Sequence, residues 1–116
     1  RLGMAEQAML PVRRLAPASR RLVEIARAMI GRPALLALDE PTAGFNEAER
    51  SHLLAVLRRW RDDGLALFVV EHDIAFASSL ADRLCCMEAG RIVAAGAPTA
   101  LLADAGLARF FGRFAA

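Results

Sequence analysis

The stretch "LLALDEPTAGFN", residues 35–46, decides how the rest of the chain folds. Residues 34–38, "ALLAL", form a short unbroken apolar run that stops abruptly at Asp39 and Glu40. Such a run between breakers suits a strand buried on both faces. Pro41 follows at once and bends the chain away, which exposes the carboxylate pair. Asn46 can cap the next helix, with Glu49 three residues on as in a capping box. Leu53, Val56, Leu57 and Trp60 then recur at helical spacing and give that helix its buried stripe.

The same pattern returns downstream. Asp63 and Gly64 turn the chain, and residues 65–70, "LALFVV", make a second buried strand. It too ends in polar residues, Glu71, His72 and Asp73. A helix is predicted over residues 74–81, a third strand over 84–87, a turn at Gly90, and a short strand over 92–95 pairing back as a hairpin. Residues 98–103 and 107–111 have helical patterns. Upstream, residues 1–12 are short and mixed, and the end of a helix is expected there. Residues 13–19 form a turn region marked by Pro17, from which Ala18 or Ser19 opens a helix to about Ile30. Leu22, Ile25, Ala26 and Met29 share one of its faces, while Arg20, Glu24 and Arg27 line the other. Gly31 and Pro33 end it.

Strand–helix–strand–helix–strand order predicts an α/β fold with a parallel sheet. Right-handed crossovers place the strand ends on one edge, and ligands bind beyond that edge in such sheets. Asp39 and Glu40 end one strand, and His72 follows another. Neighbouring carboxylates at a strand end diverge, so they can do separate jobs. One can hold a hydrated Mg²⁺, which favours oxygen ligands. The other, in a drier spot, can orient or deprotonate water. The alternative is a polar strand exit that caps the following loop. His72 could donate a hydrogen bond to a phosphate oxygen or polarise a nucleophile. Its alternative is a loop histidine bonded to backbone. His52 fits a surface or boundary position.

Length and composition narrow the field. A chain of 116 residues holds one domain or a piece of one. A net charge of +2 is too small to argue for nucleic acid. All fifteen basic residues are Arg, so chemistry that requires a lysine is excluded from these residues. Cys85 and Cys86 are adjacent, match no CxxC spacing, and fit two reduced residues facing opposite sides of a strand. A reducing, cytosolic compartment suits them. No apolar run approaches the roughly 18 residues needed to span a bilayer. The chain starts at Arg1 rather than Met, within what reads as an ongoing segment, and truncation is expected.

Four segments now spell a resemblance. "LLALDEPTAGFN" (35–46) resembles the Walker B strand and D-loop of an ABC transporter ATPase. "LFVVEHD" (67–73) is similar to its switch-histidine strand, and "RRLVEIARAM" (20–29) to the helix after its signature motif. "AGRIVAAGAP" (89–98) resembles the hairpin that follows. The resemblance implies a partial P-loop NTPase (ABC ATPase) fold, three-layer α/β, its parallel sheet lacking the P-loop strand. Residues 1–116 would be the C-terminal part of one nucleotide-binding domain, without its Walker A half. No G-x-x-x-x-G-K-[ST] pattern occurs in them. Gln7 lies too close to the signature to be assigned to the Q-loop. Parallel strands lacking a neighbour would expose unpaired backbone groups, so marginal stability is expected of the chain alone.

Carried over residue by residue, the resemblance makes Asp39 a Mg²⁺ ligand through water and Glu40 the general base for the attacking water. His72 would contact the γ-phosphate of ATP. Ala43, Gly44, Phe45 and Asn46 would be the D-loop, crossing to a partner subunit, with Asn46 where many relatives have Asp. Leu15, Ala16, Pro17, Ala18 and Ser19 stand where the family's signature reads Leu-Ser-Gly-Gly-Gln. That turn meets the γ-phosphate of ATP held by the partner subunit. Ala16 removes the hydroxyl, Pro17 removes a backbone N–H, and Ala18 adds a Cβ. Each lost charge-assisted bond costs about 1.5–3 kcal/mol, so the signature is expected to be weakened.

The implied cofactors are ATP and Mg²⁺. The implied partners are a second ATPase subunit (in a homo- or heterodimer), integral membrane permease subunits and, indirectly, a periplasmic or extracellular solute-binding protein, with no nucleic acid. The implied location is peripheral, on the cytoplasmic face of the cell (inner) membrane. "VEHD", "TAGFN" and the ending "LARFFG" are most similar to importers of branched-chain amino acids, urea or amides, although lipopolysaccharide-export ATPases end similarly. Two alternatives remain: a degenerate, non-hydrolysing subunit serving as structural or regulatory partner, and an unrelated α/β binding module.

Overall fold

A computed structural model describes residues 2–115, which divide into two compact units, one running to Val70 and the other starting at Glu71. The first unit is a βαβ motif with an additional helix before it. Its elements are α1 (Pro17–Met29), β1 (Leu35–Asp39), α2 (Glu47–Asp62) and β2 (Ala66–Val70). β1 and β2 pair in parallel, from Leu35 opposite Ala66 to Asp39 opposite Val70. Parallel neighbours need a long crossover, and α2 supplies it.

The expected capping box starts α2. The Asn46 side chain accepts from the Glu49 backbone N–H, and the Glu49 carboxylate accepts from the Asn46 N–H, both at 2.8 Å. Glu47 and Glu49 in the first turn and Arg59 and Arg61 in the last complement the helix dipole. Leu53 and Leu57 are fully buried, with Val56 beside them, while Trp60 is half-buried. The core also takes Ala18, Leu22 and Ile25 from α1, and Leu36 from β1.

Three details differ from expectation in this unit. The two strands are covered on one face only: Leu36 is buried, but Leu35, Phe68 and Val70 are 56%, 62% and 47% exposed. Side chains alternate along a strand, so a continuous apolar run leaves one apolar face open unless a second layer covers it. In residues 2–12 there is no α-helix; a 3-10 turn spans Ala5–Gln7 and another spans Val12–Arg14. Gly3 takes a positive φ, and Pro11 is extended (φ −58°, ψ 136°), and both break helical continuity. Finally, α1 opens at Pro17, earlier than Ala18 or Ser19, because proline at the first helical position gives up an N–H that has no helical partner.

The second unit contains α3 (Ile74–Leu80), β3 (Leu84–Glu88), β4 (Arg91–Gly96), α4 (Pro98–Leu102) and α5 (Ala108–Gly112). Asp73 caps α3, its side chain accepting from the Phe76 N–H at 3.0 Å. The third strand was expected to extend the parallel sheet. Among the described residues β3 instead pairs only with β4, antiparallel, from Leu84 opposite Gly96 to Glu88 opposite Arg91. Ala89 and Gly90 both take positive φ (48° and 76°), as a two-residue type I′ hairpin turn requires. That local closure fixes the partner. Cys86 is buried and Cys85 exposed, one on each side of β3. Arg113 forms an ion pair with Glu88, and Phe110 packs edge-on against Phe111 with ring centroids 5.5 Å apart.

Candidate functional site

The exit of β1 is built by two overlapping turns. Asp39 closes the strand opposite Val70, and the Glu40 N–H donates to the Val70 carbonyl at 2.7 Å. The ladder thus runs one residue past the strand. The Glu40 carbonyl accepts from the Ala43 N–H at 3.2 Å, with Pro41 at the second position of that turn. The Thr42 carbonyl accepts from the Phe45 N–H at 3.0 Å, with Gly44 at φ 76° in the third position of a type II turn. Pro41, Thr42 and Phe45 are buried, whereas Asp39, Glu40, Ala43 and Gly44 are exposed. Pro41, Thr42 and Phe45 therefore anchor the loop, and its carboxylates stay exposed.

Asp39 is an exposed oxygen donor at a strand end, which suits a cation that keeps most of its waters. No group of three or more His, Cys, Asp or Glu side chains that could hold a metal occurs among the described residues. Asp39 can therefore supply only part of a cation's ligand set. His72 is the second residue of the second unit and is exposed, between Glu71 and Asp73. Its loop is ordered locally, because the Asp73 N–H donates to the Glu71 carboxylate at 3.4 Å while Asp73 caps α3.

Residues 15–19 form the entry to α1. Leu15 is buried, Ala16 is the exposed N-cap with no side-chain cap bond, and Pro17 is exposed at the first helical position. Ala18 is buried, so its methyl packs into the unit. Arg20 folds back over this turn: Nε donates to the Leu15 carbonyl at 3.1 Å and Nη2 to the Arg13 carbonyl at 2.6 Å. A cavity of about 260 Å³ lies between the first turns of α1 and α2, lined among others by Ala18, Ser19, Phe45, Asn46 and His52. Two stretches distant in sequence, 15–19 and 43–46, thus border one cavity. His52 is exposed, as expected, with Nε2 3.0 Å from the Leu2 carbonyl.

Sequence reasoning overlooked the Val70 carbonyl that holds Glu40, and the Arg20 side chain that ties the turn before α1. The first depends on strand register, which no local motif encodes. The second had a signal, since Arg20 sits one turn from Pro17 on the polar face of α1. Away from these sites, burial and the neighbouring Cys85 push the Cys86 thiol above its ordinary range.

No protein-family model matches the chain. Among curated proteins it is 42% identical to the cobalt import ATP-binding protein CbiO of Rhodobacter capsulatus, over 81% of this chain and 34% of that protein. It is 34% identical to the zinc import ATP-binding protein ZnuC of Alkalilimnicola ehrlichii, over 95% of this chain and 43% of that protein. In structure it matches MJ1267, an ATP-binding cassette of an ABC transporter, with a TM-score of 0.84 at 23% identity, over 95% of this chain and 45% of that one. It also matches cbiO1 from Clostridium perfringens, part of the ABC transporter complex cbiONQ, with a TM-score of 0.80 at 26% identity, over 97% of this chain and 45% of that one. The fold is therefore that of ABC ATPase domains, a P-loop NTPase fold. In sequence, the chain matches a portion of an ABC transporter ATP-binding subunit. It spans about a third to less than half of the length of these relatives.

Proposed function

We propose that the chain is the C-terminal part of the ATP-hydrolysing subunit of an importer of small solutes. The observation that carries this is the exit of β1, where Asp39 and Glu40 are displayed side by side and the Glu40 backbone is held by β2. The import ATP-binding proteins that the chain resembles support it. Phosphoryl transfer needs positioning and electrostatic stabilisation more than covalent chemistry. Asp39 would help hold Mg²⁺ through water, and the bound ion would supply neutralisation of the charge on the phosphate oxygens. Glu40 accepts a proton from the attacking water as general base, and His72 donates a hydrogen bond to the γ-phosphate.

Ala43, Gly44, Phe45 and Asn46 act as the D-loop toward a second ATPase subunit. Leu15, Ala16, Pro17, Ala18 and Ser19 act as a weakened signature on that subunit's ATP. Permease subunits in the membrane and a solute-binding protein complete the system, and the subunit sits peripherally on the cytoplasmic face. Among the described residues no helix is long and apolar enough to cross a membrane. Branched-chain amino acids or similar solutes are the cargo favoured by "VEHD", "TAGFN" and "LARFFG". The relatives carry other names, including cobalt, zinc, hemin and L-cystine transport. The altered signature favours a second reading, a non-hydrolysing partner subunit, whereas Asp39, Glu40 and His72 favour hydrolysis.

The reading frame upstream of Arg1 and the full-length subunit test the proposal together. A P-loop is expected in that frame, with Mg²⁺-dependent ATP hydrolysis by the subunit in its assembled transporter. A frame without a P-loop, or an assembled transporter in which this subunit's own site is silent, would sink it.

A further inference from the structure

Glu40 has a left-handed backbone, with φ 44°. Residues with a Cβ avoid this region. Such a conformation persists only where its surroundings over-determine it. Three restraints act here. The Val70 carbonyl fixes the Glu40 N–H at 2.7 Å. The Ala43 N–H fixes the Glu40 carbonyl at 3.2 Å, which prevents Glu40 from carrying β1 straight on. The third restraint is Pro41, whose side chain is fully buried. A proline ring disfavours the right-handed conformation of the residue before it, and its own φ suits the second position of the Glu40–Ala43 turn.

Resting on the reading of Glu40 as general base, we propose that Pro41 is a positioning residue for that carboxylate. The buried ring denies Glu40 its relaxed right-handed alternative and the turn closed by the Ala43 N–H denies it the extended one, so the side chain leaves β1 in one direction. A general base must stand within hydrogen-bond reach of the proton it takes, and a displacement of about 1 Å can cost on the order of 10²-fold in rate. Pro41 touches neither nucleotide nor water in this scheme and acts only through the Glu40 backbone.

The test compares Glu40→Gln and Pro41→Ala in the full-length subunit within its assembled transporter, using Mg-ATP. Pro41→Ala is expected to lower kcat about tenfold or more, with the KM for ATP within about twofold, as positioning of a base predicts. A Pro41→Ala enzyme with parental kcat beside an inactive Glu40→Gln enzyme overturns the proposal alone. So does a fall in Pro41→Ala that lies entirely in KM. An active Glu40→Gln enzyme overturns the general-base reading and this proposal with it. If Pro41→Ala fails to fold, the melting midpoints of Glu40→Gly and Glu40→Ala decide. Glycine adopts a positive φ freely, so it is expected to melt higher; an equal or lower midpoint means there is no strained backbone for Pro41 to hold.

Discussion

Restoring the turn before α1 is expected to trade stability for activity. The perturbation is Ala16→Ser, Pro17→Gly and Ala18→Gly together in the full-length subunit. Ala16 is an N-cap without a side-chain bond, so serine there stabilises by about 1 kcal/mol. Replacing Pro17 by glycine frees the unfolded chain and costs roughly 0.4–1 kcal/mol. Ala18 is the expensive position. It is 7% exposed and lies in the first turn of α1, so glycine there loses a buried methyl. That loss costs about 0.8 kcal/mol for burial and up to about 1 kcal/mol for helix propensity. The net effect is a loss of roughly 0.2–1.8 kcal/mol, a fall of up to a few degrees in the melting midpoint of a domain-sized protein. Against this, the triple change returns a hydroxyl and a backbone N–H, each worth about 1.5–3 kcal/mol as a charge-assisted donor. If one such bond is realised only in the transition state, ATP hydrolysis by the assembled transporter rises about tenfold or more. Steady-state ATPase rates and melting curves on the same preparations separate the two effects. Activity that stays flat, or falls in step with stability, would show that residues 15–19 do not serve the partner's ATP.

Other outcomes follow from single contacts. Asn46→Ala removes the cap of α2 and is expected to lower stability by about 1 kcal/mol in urea unfolding, whereas Asn46→Asp keeps it; equal losses for the two would contradict the cap. Cys85 is exposed while the Cys86 thiol is both buried and raised, so less Cys86 is thiolate at a given pH. Iodoacetamide at pH 8 is expected to modify Cys85 well before Cys86, read by peptide mass spectrometry, and matching rates would refute the burial of Cys86. The chain of residues 1–116 alone is expected to show no measurable ATPase and only weak nucleotide binding; micromolar ATP affinity by calorimetry would overturn the view that the nucleotide is held by a P-loop outside it.

What was legible in the sequence depended on the range over which each feature is encoded. The capping box and the stripe of Leu53, Val56 and Leu57 are local, and α2 forms where they place it. The two apolar runs ending in acidic residues mark β1 and β2 for the same reason. The partner of β3 is not visible in its own residues, because an apolar run reads alike in a parallel sheet and in a hairpin. The left-handed Ala89 and Gly90 decide between them. The open face at Leu35, Phe68 and Val70 was hidden for a related reason: a run apolar on both sides says that both faces want cover, not that these residues provide it. At the site, the order of Asp39, Glu40 and Pro41 announced a bent strand exit. The left-handed Glu40 and its bond to Val70 needed the register of β2 as well.

The central claim is that Glu40 takes the proton from the water that attacks ATP. The most direct measurement is single-turnover hydrolysis by the assembled transporter carrying Glu40→Gln, with nucleotide occupancy recorded on the same sample. Removing a general base typically costs about 10²–10⁴-fold, so hydrolysis is expected to fall by at least 10²-fold while ATP remains bound. Hydrolysis at the parental rate with the site filled would contradict the claim.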